Sequence, residues 1–382
     1  MTRRLPIWLC GLLLLSSLAV TRGTASEITP ISDRMRTAVS APEISGAVTL
    51  VARHGKVVHL SAVGLADIDA KRPMQTDALF AVASMTKPIT ATALMMLQDA
   101  GQLSVEDPVS KYIPEFKQMM LASGPPQREM TIRDVLTHTS GLGGDQQCQG
   151  TLRETAEELV ARKLSFEPGT KWQYSPGLNV AGRIIEVVSG MPFERFLQER
   201  LFDPLNMSDT TFVPTAAQQA RLARLYQPSA DKRSLVPGQH WIVDLSKSRA
   251  PNPSGGLFST ATDMARFYQM VLDGGQYEGR RIMSQSTVSQ MTSIQTGDLV
   301  TGFTPGNGWG LGWCVIREPQ GVTASLSPGT YGHGGAFGTQ GWVDPRTKTI
   351  YVLMIQRVNF GNSDGSDLRG DFHQLAAEAL RP

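Results

Sequence analysis

Strand-patterned segments stand at both ends of this 382-residue chain and helical ones fill its middle, which limits the fold more than any other feature. Near the start, GAVTLVARHGKVVHLSAVG from Gly46 reads as a hairpin: Val48 and Leu50 alternate, His54 and Gly55 turn, and Val57, Val58 and Leu60 return. Near the end, GWGLGWCVI and GTQGWVDPRTKTIYVLMIQRV, the latter turning at Asp344 to Lys348, read as strands, and DLRGDFHQLAAEAL reads as a closing helix. From about Leu103 to Pro253 the pattern is TIRDVLTHTSGL, TAEELVARKL and NVAGRIIEVVSGMPFERFLQERLF, short helical stretches joined by loops rich in proline and glycine. The expected fold is therefore α+β. Residues 27–102 and 254–382 form one antiparallel sheet flanked by helices, and residues 103–253 form a mostly helical second lobe.

The chain opens MTRRLPIWLCGLLLLSSLAVTRGTAS, in which Arg3 and Arg4 precede an apolar run from Leu5 to Val20 and then small or polar residues. This reads as a signal peptide over residues 1–26. The run falls short of the roughly 18 to 20 residues of a membrane span, and Cys10 follows Leu9 rather than a small residue, against lipoprotein processing. Export to the periplasm or outside the cell is expected, with the membrane met only through the cleavable leader. Losing Arg3, Arg4 and Arg22 would take the formal charge from +2 to −1, which leaves no electrostatic case for nucleic acid. Two cysteines remain, Cys148 and Cys314, either paired in an oxidising compartment or standing as separate thiols. No zinc-ligand spacing and no H-E-x-x-H occurs, so no metal and no cofactor is expected.

S-x-x-K occurs twice. Ser229 and Lys232 fall in YQPSADKRSLVPG, a polar loop bounded by prolines, and read as a solvated turn. Ser84 and Lys87 fall in AVASMTKPITATALMMLQDAGQL, where Ile89, Leu94 and Leu97 recur at helical spacing before Gly101. That predicts an amphipathic helix packing one face on a core, with the hydroxyl and the ammonium sharing a face near its first turn. Pro88 is tolerated there.

SMTK at Ser84, TIRDVLTHTSGL at Thr131, YSPGLNVAGRIIE at Tyr174, PSGGLFSTATDMARF at Pro253 and GHGG at Gly332 together resemble the serine penicillin-recognising hydrolases. Class C β-lactamases, D,D-peptidases and family VIII carboxylesterases belong to that group. The resemblance implies a site in the crevice between an α/β lobe and a helical lobe. It implies Ser84 as nucleophile, Lys87 as its proton partner, and Tyr174 as the base for attack and for the deacylating water. Backbone N–H groups of Ser84 and Ala336 would hold the oxyanion. The chemistry explains the residue types. A serine hydroxyl needs a neighbouring base, and reference pKa values of about 10.4 for lysine and about 10 for tyrosine mean that neither acts alone. Packed in a partly desolvated cleft, each favours the proton-poor form of the pair. Without its flanking motif, Tyr174 would read as a buried aromatic tethered by its hydroxyl.

Two departures from the lactamase pattern matter. Pro176 stands where an asparagine is usual, and Asn179 is too far along to be assumed a substitute. His333, Gly334 and Gly335 replace the usual Lys-Thr-Gly, so the carboxylate clamp is a mostly neutral imidazole and the threonine hydroxyl is missing. The expected activity is hydrolysis of a small-molecule ester, with a lactam or a D-amino-acid peptide as the alternative substrate. A penicillin-binding sensor that is acylated without turnover is the alternative from another class. Ser363 in GNSDG is a formal G-x-S-x-G, but only 19 residues follow it, too few for the later acid and histidine of that hydrolase type. His138 reads as a structural histidine in a turn. Trp313 and Phe337 line the cleft or fill a core.

Overall fold

The computed structural model describes residues 27–144, 150–246, 250–360 and 363–381. The leader over residues 1–26 and Cys148 lie outside the described residues, so export and a Cys148–Cys314 bond stay expectations. Cys314 is buried.

Helix α1 (Thr29–Ser40) leads into β1 (Gly46–Arg53), β2 (Lys56–Asp67) and the short β3 (Arg72–Pro73). Five further strands come from the other end of the chain: β4 (Asn307–Trp309), β5 (Cys314–Ile316), β6 (Tyr331–Gly334), β7 (Gln340–Asp344) and β8 (Thr349–Met354). All eight join in one antiparallel sheet of order β4-β5-β6-β7-β8-β1-β2-β3. The two termini meet at the β1–β8 pairing, where Val48 lies opposite Met354 and Leu50 opposite Val352. His54 and Gly55, at φ 51° and 76°, make the hairpin turn between β1 and β2 with the two positive φ values such a turn requires.

Every residue of β1 except Arg53 is buried, because both faces of the sheet are covered. Val48, Leu50, Val352 and Met354 share one core with helices α2 (Thr86–Asp99) and α6 (Ala261–Leu272). Ala47, Val51, Tyr351 and Leu353 share the other with α1 and α7 (Asp367–Ala379). An Arg34–Asp371 ion pair at 2.6 Å joins these last two helices. The middle of the chain supplies α3 (Ile132–Leu136), α4 (Leu152–Val160) and α5 (Gly177–Ser189).

Helix α2 departs from the amphipathic expectation: 11 of its 14 residues are buried. It packs on α5 as well as against the sheet side, so it has no solvent face to speak of. Its threonines tolerate this because their hydroxyls are satisfied locally, Thr92 by the carbonyl of Pro88 at 2.8 Å and Thr90 by that of Pro253 at 2.7 Å.

Candidate active site

Phe80–Ala81 pairs with Phe258–Ser259, and the chain then turns sharply into α2. Ala83, directly before Ser84, holds φ at 47°, a strained value for a residue with a Cβ. Ser84 follows in a single tight turn, Ala83–Met85, and Lys87 lies in the first turn of α2. The Lys87 ammonium, 3% exposed, donates to Ser84 Oγ at 3.3 Å and to the carbonyl of Ser254 at 2.7 Å. It also sits 4.5 Å from the centroid of the Tyr174 ring, a cation–π contact. The Ser254 carbonyl is itself held in place. Its residue's N–H donates to Asn252 Oδ1 at 2.9 Å and to Asn179 Oδ1 at 3.0 Å, both side chains being buried.

Tyr174 stands on an aromatic floor. The His138 ring lies 4.6 Å from it, His333 6.0 Å and Trp309 6.3 Å between centroids. The half-exposed Phe303 covers it from outside at 5.0 Å.

The third motif lies along β6. His333 is buried at 2% exposure, and its Nδ1–H donates to the carbonyl of Gly334 at 2.6 Å, leaving Nε2 as the lone-pair nitrogen. A Cβ on Gly334 would fall 1.7 Å from Asp364 Oδ1, and one on Gly335 would fall 2.1 Å from Thr339 Oγ1. A Cβ on Gly335 would also fall 2.5 Å from the Val82 carbonyl, so backbone packing sets that glycine, whereas one on Gly334 would meet only side-chain ends.

A cleft of about 310 Å³ collects Ser84, Lys87, Tyr174, Ser254 and Ala336, walled on one side by His240, Trp241 and Ile242. Of the residues singled out in the sequence, the fold brings these first three and Ala336 together. His333, Gly334 and Gly335 are set back and do not line the cleft. Trp313 and Phe337 are buried in cores, not on the cleft wall. Sequence reasoning passed over Asn252 and the 240–242 wall, and weighed Asn179 only as a substitute for the missing asparagine. Asn252 carried a readable signal, since an asparagine two residues before Ser254 forms an Asx turn. A larger groove of about 770 Å³, lined by α6 residues and Lys348, shares none of the cleft residues. Among the described residues no cluster suited to a metal ion occurs, and no helix is long and apolar enough to cross a membrane.

Four buried histidines resist protonation. Burial pushes His333 down to about 4, helped by the positive charge of Lys87 and opposed by Asp364. Burial likewise pushes His59 down to about 4, and His138 and His373 well below the usual imidazole range. An unfolded histidine protonates near pH 6.5, so between pH 6.5 and about 4 the unfolded chain binds protons that the native one refuses. Stability is then full above pH 6.5 and falls as pH drops, by up to about 1.4 kcal/mol per pH unit for each such ring. Thermal melts should show Tm falling clearly from pH 7 to pH 5. A flat Tm over that range would mean that these rings protonate in the native state.

A serine hydroxyl on a strained turn, a buried ammonium one helical turn on and a tyrosine over that ammonium, set between a sheet lobe and helices, define a serine hydrolase. The sequence model of the β-lactamase family matches residues 31–376. Esterase EstB of Burkholderia gladioli is 31% identical over 84% of this chain and 88% of its own. Penicillin-binding protein 4 of Amycolatopsis lactamdurans is 32% identical over 69% of this chain and 68% of its own. The solved structure of EstCE1, a hydrolase with promiscuous acyltransferase activity, shares the fold with a TM-score of 0.80 at 24% identity, covering 91% of this chain and 97% of its own. The chain belongs to the β-lactamase family.

Proposed function

We propose that this protein is an exported carboxylesterase that cleaves neutral esters through an acyl-enzyme on Ser84. The observation that carries the ester reading is the composition of the cleft wall. Among the described residues lining it, Lys87 is the only lysine or arginine, and its ammonium is already engaged by Ser254 and Ser84. A β-lactam or a D-alanyl peptide brings a carboxylate that wants a second, permanent cation. His333 supplies none, being neutral and set back. A neutral ester brings no such charge and has a better leaving group than an amide, so the missing clamp costs it little.

In this mechanism Ser84 Oγ attacks the ester carbonyl while its proton passes to the Lys87–Tyr174 pair. The backbone N–H groups of Ser84 and Ala336 hold the oxyanion. The alkoxide leaves with a proton from the pair, and water, activated by Tyr174, then releases the acid and restores Ser84. The similarity to esterase EstB supports this reading, and the similarity to penicillin-binding protein 4 supports the lactam or peptide alternative. The test is a ranking. p-Nitrophenyl butyrate should give a higher kcat/KM than the chromogenic cephalosporin nitrocefin or a D-Ala-D-Ala peptide. A higher value for nitrocefin would make β-lactamase the better description, and stoichiometric acylation without turnover would make the protein a sensor.

A further inference from the structure

We infer that His138 is a positioning residue that fixes Tyr174 against Lys87 by gripping the chain on both sides of the tyrosine. The inference rests on Tyr174 acting as the base. Three contacts make the grip. The His138 carbonyl accepts the N–H of Gln173 at 2.9 Å, its Nδ1 accepts the N–H of Ser175 at 3.2 Å, and its ring lies against the Tyr174 ring at 4.6 Å, tilted by 36°. Ser175 Oγ adds a further contact to Nδ1 at 3.1 Å.

The grip is rigid because the turn that carries it is rigid. His138 holds φ at 59°, a left-handed conformation in which histidine, asparagine and aspartate are enriched. Asp134 braces that turn: its carbonyl accepts the N–H of Thr139 at 2.9 Å, its carboxylate accepts the Thr139 hydroxyl at 3.2 Å, and Arg128 pins the carboxylate at 2.6 and 2.8 Å. Because Nδ1 accepts a backbone N–H, the neutral ring carries its proton on Nε2. Burial and the charge of Lys87 hold His138 well below the usual imidazole range, so the acceptor survives at any working pH near neutrality. The ring is fully buried and does not line the cleft, so it meets no substrate and acts only through Tyr174.

The test is a double-mutant cycle read on p-nitrophenyl butyrate, with folding checked by thermal melts. His138→Leu removes the acceptor and should lower kcat by about ten- to hundredfold, the usual cost of a misplaced catalytic group, while KM stays within about twofold. His138→Asn keeps an acceptor and suits the positive φ, and should recover all but a few-fold of that loss. In a Tyr174→Phe background both changes should have no further effect on kcat, because the group they position is gone. An unchanged kcat in His138→Leu, or an equal loss in the Tyr174→Phe background, overturns the inference. Should His138→Leu fail to fold, the few-fold loss in His138→Asn decides alone, and its persistence in Tyr174→Phe overturns the inference. Tyr174→Phe at full rate removes the base assignment and this inference with it. A slow Tyr174→Phe beside an unaffected His138→Leu removes only the inference.

Discussion

Ser84→Ala is expected to abolish turnover, by about four orders of magnitude or more, as removal of a nucleophile does in enzymes of this logic. It should also abolish covalent labelling by a fluorophosphonate, since that reagent needs the Ser84 oxygen to form its bond. The chain contains its own control. Ser229 has a lysine at the same spacing, but Ser229 Oγ donates to Asp231 at 2.6 Å within an exposed turn, and Lys232 is itself exposed. Ser84 differs in two physical respects: a strained residue before it and a buried ammonium at 3.3 Å. Ser229→Ala and Ser363→Ala should therefore keep both turnover and labelling. Labelling that survives in Ser84→Ala would place the nucleophile elsewhere.

Local patterns were legible in the sequence, and contacts between distant segments were not. The hairpin at His54 and Gly55 follows from alternation and turn chemistry, and the meeting of the two termini follows from where the strands fall. The Ser84–Lys87 pair follows from helical spacing. The burial of α2 on all sides does not, because a hydrophobic pattern counts threonine as polar and cannot register that Thr90 finds the carbonyl of Pro253, 163 residues away. Asn179 reads as too far along the chain to be assumed a substitute for the missing asparagine. From the first turn of α5 it reaches instead to the N–H of Ser254, and so acts on Lys87 from behind. Gly334 read as a missing threonine hydroxyl. The neighbour of this glycine lies 30 positions on: the Asp364 carboxylate stands where a Cβ would be and accepts from Gln340 at 3.1 Å. Grafting Lys-Thr onto His333 and Gly334 to favour carboxylate-bearing substrates therefore requires the Asp364 and Gln340 side chains to move aside.

Lys87→Ala and Tyr174→Phe should each lower kcat on p-nitrophenyl butyrate on the order of a hundredfold or more, the scale of lost general acid–base catalysis. Geometry says that the two losses will not multiply. The ammonium that meets Ser84 Oγ at 3.3 Å is the same one that lies 4.5 Å from the Tyr174 ring centroid, so both groups serve one place at Ser84. Removing either breaks the unit that takes the Ser84 proton, and removing the second then costs little more. Lys87→Ala carries a further effect that Tyr174→Phe does not, because it releases the Ser254 carbonyl from its 2.7 Å bond. Lys87→Met keeps most of the side-chain volume but loses the same bond, so it separates lost packing from the lost amine and should be as slow as Lys87→Ala if the amine is what matters. The measurement is kcat for the two single variants and the double variant under one condition. A double variant that shows the full product of the two losses would mean that lysine and tyrosine act in separate steps. A double variant no slower than the worse single variant would tie both to one proton transfer at Ser84.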